Sequence, residues 1–309
     1  MIQFSDIRFV KNTEIDNEKW DQCIQQSVNG IVYAYSWYLD IVCEGWNALI
    51  VGDYELVMPL PSARKYGVHY SLQPLFAQQF GVFSQTILTA EVISAFIKAI
   101  PSKYRLIKIH LNTFNPVVKN RIFTEGITYE LDLIKSYDGL YKSFSNNTRR
   151  NIKKGKAGNI YTVSGGQPNV LVNLIKENVG TRLKFMGEEE YSRIRRIISQ
   201  SVRYKLGQMY CAYDDTNNLV AGALFVETKG KVIYLFGSSN EAGIKKKAMF
   251  VLVDQFIHDF EENNLTLDFE GSKSEGLARF YAGFGARQCN FPVYSENRMP
   301  WPVKYLYKL

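Results

Sequence analysis

The chain has 309 residues, enough for two hydrophobic cores of about 150 residues each. An apolar fraction of 46% and a charged fraction of 22% are ordinary for a soluble globular protein and exclude a disordered or fibrous chain. The net charge of +7 favours anionic partners: nucleotide phosphate, nucleic acid or an anionic membrane face. Aromatic residues reach 14%, and most of the 20 Tyr and 19 Phe must be buried to avoid aggregation. The opening MIQFSDIRFVKNTEID has no apolar h-region, and no run approaches the roughly 18 apolar residues that a spanning helix needs. A cytoplasmic protein without a transmembrane segment is expected. The four cysteines are far apart, form no CxxC pair and have three histidines for company. Reduced thiols and no metal site are expected from that pattern.

In chain order, residues 5–10 read as a strand, and 18–28 as a helix ended near Asn29-Gly30. An aromatic helix follows over 35–43. Residues 48–51 and 56–60 form a hairpin turned at Gly52-Asp53. The segment 69–83 is rich in Gln and aromatic residues and is expected to line a polar acceptor site, with Gln73 and Gln79 as contacts. A helix starts at Thr89 and stops at Pro101, and strands follow over 104–111 and 127–133. The stretch 135–145 is the candidate boundary, giving domains 1–135 and 136–309. The second half reads as helices 136–143 and 147–156, strand 159–163, and helices 168–179 and 188–204. Three strands come next: 207–213, 219–227 and 231–237. A helix (246–262), a strand (266–269), a helix (275–284) and closing strands complete the order ααβααβββαβαβ. A Phe-x-x-x-Phe-Gly pattern occurs at Phe76–Gly81 and again at Phe280–Gly285, a faint internal echo.

Three stretches carry chemistry. The third strand runs into a small-residue loop, Ser238-Ser239-Asn240-Glu241-Ala242-Gly243, and a helix opened by Ile244-Lys245-Lys246-Lys247-Ala248. A helix start offers unpaired N–H groups and a positive dipole end, so Ser238, Ser239, Gly243, Lys245, Lys246, Lys247 and Ala248 suit an anion. Asp268 and Glu270 lie two apart on a strand and are expected on one side of the sheet, where a carboxylate could take a proton from an attacking amine. Glu270, nearer the strand end and Ser272, is the preferred base. The run Ser145-Asn-Asn-Thr-Arg-Arg-Asn-Ile-Lys-Lys-Gly-Lys156 has no acidic residue from Gly139 to Asn159. Helical spacing sets Arg149 beside Lys153 and Arg150 beside Lys154, and such like charges call for a phosphate or an RNA backbone between them.

The element order from the three strands onward, the run Leu267-Asp-Phe-Glu-Gly-Ser272 and the helix Gly276-Leu-Ala-Arg-Phe-Tyr-Ala-Gly-Phe-Gly-Ala286 resemble the GNAT acyltransferases. The Thr148-Arg-Arg-Asn-Ile152 segment and the strand-end signature resemble the Fem-like branch, built from two GNAT-like halves. The resemblance covers most of 137–290 and, more loosely, the first half. It implies a mixed α/β fold of two tandem GNAT-like domains, with largely antiparallel sheets flanked by helices. It implies an N-acyltransferase acting by direct attack in a cleft between the halves, with no metal. In GNAT enzymes the 238–248 position grips the pyrophosphate of acyl-coenzyme A, and a tyrosine at the Tyr281 position protonates the departing thiolate. In Fem peptidyltransferases the donor is aminoacyl-tRNA and the acceptor a cell-wall precursor peptide. Fem proteins usually carry a basic residue where this chain has Tyr281, and a coiled-coil arm of which no heptad run is visible here. The expected partner is a small-molecule or peptide amine, with tRNA as the alternative donor and a non-catalytic binding protein as the remaining alternative.

Overall fold

The computed structural model describes residues 6–180, 186–271, 274–301 and 304. The chain groups into two compact units, Met1–Ile127 with Asn290–Leu309, and Thr128–Cys289. The sequence places the division at 135. In the structure, residues 128–135 go with the second unit because strand 123–132 pairs there, and 290–309 go with the first because the last strand returns to it.

The first unit holds β1 (Ile7–Val10), α1 (Asn17–Gln26), α2 (Ser36–Val42), β2 (Asn47–Val51), β3 (Leu56–Leu60), β4 (Ala63–Lys65), β5 (Val68–Leu72), β6 (Phe83–Ser84), α3 (Ala90–Ala99) and β7 (Tyr104–His110). One sheet has the order β1-β2-β3-β6, and β4, β5 and β7 are neighbours in a second. Asp16 starts α1 by accepting from the N–H groups of Glu18 and Lys19, the usual way of satisfying a first turn. The helix buries Trp20 against Trp46, ring centroids 4.6 Å apart, and the Trp20 indole N–H donates to the Ala34 carbonyl at 2.7 Å. The 63–72 hairpin was hidden in the sequence because its strands are short and polar, and β4 is exposed throughout.

The second unit starts within β8 (Phe123–Asp132). It continues with α4 (Tyr137–Ser143), α5 (Asn146–Ala157), β9 (Tyr161–Ser164), α6 (Pro168–Ile175), α7 (Glu188–Arg203), β10 (Gly207–Tyr213), β11 (Leu219–Thr228) and β12 (Lys231–Ser239). It closes with α8 (Glu241–Lys246), α9 (Ala248–Asp259), β13 (Thr266–Asp268), α10 (Glu275–Gly283) and the start of β14 (Arg287–Asn297). The strand order is β8-β13-β12-β11-β10-β9, antiparallel throughout except for the parallel β12–β13 pair. Alternation along β11 sends Gly222 toward Leu171 of α6 and Phe225 toward Phe256 of α9, so these helices cover opposite faces. The core between the sheet and α4, α5, α9 and α10 contains Phe144, Ile152, Leu252, Phe256, Tyr281 and Phe284.

The helix expected over 246–262 is α9, shorter at both ends, and the separate short helix α8 precedes it. Asn240 caps α8 by accepting from the Gly243 N–H, and Lys247 then takes a left-handed conformation (φ 61°) before α9 begins. The echo of Phe76–Gly81 and Phe280–Gly285 has no common backbone: the first is loop and bridge, the second a helix and its end. Replacing Trp20 by Ala removes a fully buried indole and leaves a carbonyl unpaired. We expect a loss of about 3–5 kcal/mol, read from the urea midpoint.

Candidate functional site

β12 and β13 pair only from Lys231–Thr266 to Ile233–Asp268. β13 ends there, whereas β12 runs on to Ser239. Its register against β11 shifts between Leu224 and Phe225, which puts Leu235 in a bulge two residues beyond the last β13 pair. A bulge re-aims backbone groups, and N–H groups without a strand neighbour are suited to polarising a bound carbonyl. This parting of two strands is the centre of the candidate site.

Rings gather beside it. Tyr281 on α10 stacks on Phe269 at 5.2 Å and lies 6.4 Å from Tyr234, with Tyr129 at 6.0 Å. Burial pushes the Tyr281 hydroxyl above the ordinary tyrosine range, and the neighbouring Glu270 carboxylate raises it further. The hydroxyl therefore keeps its proton at neutral pH and can donate it. Burial raises Tyr234 in the same way, and its hydroxyl donates to Met249 Sδ at 3.2 Å.

Asp268 is committed to holding the chain. It is 1% exposed. Its Oδ1 accepts from the Thr128 hydroxyl and from the Glu270 N–H, and its Oδ2 meets Lys231 Nζ at 3.3 Å. Lys231 also pairs with Glu130 at 2.6 Å. Burial raises the Asp268 carboxyl, against the pull of Lys231 and Thr128. The expected shared side for Asp268 and Glu270 does not arise from strand alternation, because β13 stops at Asp268 and Glu270 is left-handed (φ 59°). The turn leaves Glu270 half-buried and near enough to Tyr281 to influence its hydroxyl. Ser272 lies outside the described residues.

The 238–248 loop is largely occupied by its own protein. Ser238 Oγ is buried and donates to the Leu174 carbonyl at 2.9 Å. A Cβ on Gly243 would sit 2.1 Å from the Val220 carbonyl oxygen and 3.3 Å from the Ser239 Cβ, so this glycine serves close packing of α8 on β11. Lys246 is held by Asp215 at 2.7 Å and Asp214 at 3.3 Å, in the β10–β11 turn. Ala248 is fully buried. Lys245 is exposed and, with Asn178, Asn240, Glu241, Ala242 and Lys246, lines an open depression of about 550 Å³.

α5 turns Thr148, Ile152 and Gly155 inward and Arg150, Lys153 and Lys154 outward, with Arg149 half-exposed. Arg149 donates to Asn146 Oδ1 at 2.6 Å and Arg150 to Asn147 Oδ1 at 3.0 Å. The helix touches both neighbours of the opening. A Cβ on Gly155 would lie 3.2 Å from the Lys246 carbonyl oxygen and 3.3 Å from that of Lys247, where α9 begins. At its other end Ser145 N–H donates to the Gly283 carbonyl, at the end of α10. α5 thus packs against the start of α9 and the end of α10, with Arg150, Lys153 and Lys154 on its outer side.

Gln73 and Gln79, in the first unit, are spent on local structure. Gln73 accepts from the His110 N–H and donates to the Ala77 carbonyl. Gln79 is 1% exposed, accepts from the Thr113 N–H and donates to Gln78 Oε1. The sequence reading missed Thr128, Glu130 and Lys231, which reach Asp268 or one another only through strand pairing. Among the described residues no His/Cys/Asp/Glu group could hold a metal ion, and no helix is long and apolar enough to cross a membrane.

No family model matches the chain, and no curated protein matches its sequence. Solved structures do. FemX is similar with a TM-score of 0.67 and 14% identity, over 94% of this chain and 98% of that one. The fold is GNAT-like and of the Fem type. A conserved protein of unknown function from Bacteroides thetaiotaomicron gives 0.59 and 11%, over 91% of this chain and 97% of its own. L-PGS from Bacillus licheniformis gives 0.54 and 10%, over 94% of each chain. The Fem-type likeness covers nearly the whole chain, in agreement with the mixed, largely antiparallel α/β architecture expected from the sequence.

Two outcomes test this loop of the Fem-type fold. Gly243→Ala drives a methyl into backbone and should cost about 1–3 kcal/mol by urea unfolding. Asp214 is held down to about 2, first by the Thr216 hydroxyl bond. A carboxyl lowered on folding stabilises above its ordinary value, and that share fades as pH falls toward about 2. The gap in urea midpoint between the wild type and Asp214→Asn should therefore be larger at pH 7 than at pH 3.

Proposed function

We propose that the protein is an acyltransferase that joins an acyl group to an amine by direct attack at the parting of β12 and β13. One observation carries this reading: a buried hydroxyl that stays protonated, Tyr281, stands beside the Glu270 carboxylate at the place where two strands separate. The amine nitrogen forms a bond to the acyl carbon, and the bond from that carbon to the carrier breaks. Glu270 takes the proton lost by the amine, and Tyr281 returns one to the departing atom, so charge balances across the step. Backbone N–H groups near the Leu235 bulge would polarise the carbonyl, and positioning supplies further rate.

The donor we favour is an aminoacyl ester on tRNA. Support comes from the Fem-type fold and from Arg149, Arg150, Lys153 and Lys154 of α5, none of which has a carboxylate partner among the described residues, whereas Lys156 on the same helix pairs with Asp254. The 238–248 loop argues in the same direction, since Ser238, Gly243 and Lys246 already have partners. A second reading, acyl-coenzyme A as donor, is favoured by Tyr281 itself, because a hydroxyl suits a departing thiolate. Lys245 and Lys247 would then meet the pyrophosphate.

Filter retention of bulk tRNA at low salt should be strong, should fall steeply as salt rises, and should weaken at least about tenfold in Arg149→Ala/Lys153→Ala. Absence of retention at low salt removes the tRNA donor. In that case acetyl- and longer acyl-coenzyme A should raise the Tm, by about 2.7 kcal/mol of added stability at 100-fold over Kd. With either donor, Tyr281→Phe should lower kcat at least about tenfold at unchanged Tm. An unchanged rate removes Tyr281 as the acid. Binding of a donor without turnover over an amine panel leaves a binding protein on an acyltransferase fold.

A further inference from the structure

A second cavity lies in the same unit, at the start of β12 and the end of α9. Its volume is about 340 Å³, within the range of small-ligand pockets. The floor is apolar and ordered. Phe225 and Phe256 are 1% exposed and stack face to face, with centroids 3.7 Å apart and planes at 7°. Phe260 continues the stack at 4.6 Å from Phe256, and buried Val232 completes it. Two exposed charges of opposite sign, Lys205 and Glu227, line the same cavity. Among the described residues neither makes an ion pair, with the other or with any third group. The two lie on one edge of the cavity, where the Glu227 N–H donates to the carbonyl of Leu206, the residue after Lys205.

Lys205 also occupies the left-handed position after α7 (φ 59°). Glycine makes that turn at no steric cost but brings no charge. Its place at the rim therefore comes with backbone strain that a glycine would avoid.

We propose that this cavity binds a free α-amino acid with an apolar side chain. The carboxylate would meet Lys205, the ammonium would meet Glu227, and the side chain would lie against half-buried Phe260 and exposed Val202, over the buried Phe225–Phe256 pair. An anion alone would be repelled by Glu227, a cation alone by Lys205, and a neutral apolar molecule would leave both charges to water. Only a zwitterion with an apolar body satisfies the mouth and the floor together. The site is separate from the opening between β12 and β13, although Phe225 lies 5.4 Å from Tyr234 and so forms a wall common to both regions. The inference does not depend on the proposed donor or acceptor.

Isothermal titration with L-phenylalanine and L-leucine tests it directly. We expect binding with Kd of about 1 mM or tighter. The single-charge analogues 3-phenylpropanoate and 2-phenylethylamine should bind at least about tenfold more weakly, one for want of each partner. Lys205→Met and Glu227→Gln change exposed side chains, so both should fold, as a circular dichroism melt verifies. Each should weaken L-phenylalanine at least about tenfold. No heat up to about 10 mM ligand, equal affinity for a single-charge analogue, or unchanged affinity in either folded variant overturns the proposal.

Discussion

The candidate site depends on two adjacent strands that cease to pair. A strand buried in a sheet must satisfy every N–H and C=O, and an orphaned group costs about 1–3 kcal/mol. β12 and β13 nevertheless separate after Ile233–Asp268. Two local devices make them do so. In β12, the extra residue at Leu235 turns the backbone, and Gly237 just beyond it has no side chain to oppose the Tyr234 hydroxyl, which would lie 1.7 Å from a Cβ there. In β13, Asp268 accepts from the N–H of Glu270 and ends the strand in a left-handed residue. The stacked Phe269 and Tyr281 rings, with Tyr234 tilted against them, fill the flank and offset the lost ladder with apolar burial.

The charges around Asp268 hold the turn that ends β13. A carboxylate 1% exposed is tolerable only with partners, and removing one partner from such a buried pair costs about 3–5 kcal/mol. Lys231, Thr128 and the Glu270 N–H together use both of its oxygens. A proton arriving there would break those bonds. Glu270 is half-buried, and its backbone N–H closes the turn onto Asp268. Of the two acids in Asp-Phe-Glu, the inner one is buried and fixes geometry, and the outer one is half-buried at the turn.

Much of this was legible in the sequence. The order of elements in the second unit followed from periodicity and turn residues, because each is a local signal. The fold class followed from that order together with the Phe280-Tyr281 and Thr148-Arg149-Arg150 stretches. The fate of individual polar residues was not legible, and the reason is distance along the chain. Lys246 finds Asp214 and Asp215 across a hairpin some thirty residues away, and Thr128 meets Asp268 across 140. Gln73 and Gln79 have the composition of a polar site and the geometry of a brace, because His110 and Thr113 arrive beside them only when β7 pairs with β5. Even the Asp268–Glu270 reading, a local one, failed on a single backbone angle that strand alternation cannot anticipate.

The same partner-by-partner reasoning locates the basic surface better than the net charge of +7 does. Lys231 and Lys246 are taken by carboxylates, and Lys156 by the buried Asp254 at 2.7 Å. What remains concentrated is the outer side of α5, where cations three and four residues apart repel by about 0.2–0.5 kcal/mol per pair. Arg149 and Arg150 are each held by an asparagine one turn back. An amide oxygen fixes the direction of a guanidinium and leaves its charge intact, whereas a carboxylate would fix the direction and cancel the charge. Asparagine at 146 and 147 therefore keeps two oriented, unneutralised cations toward the N-terminal end of α5, the end that meets α10.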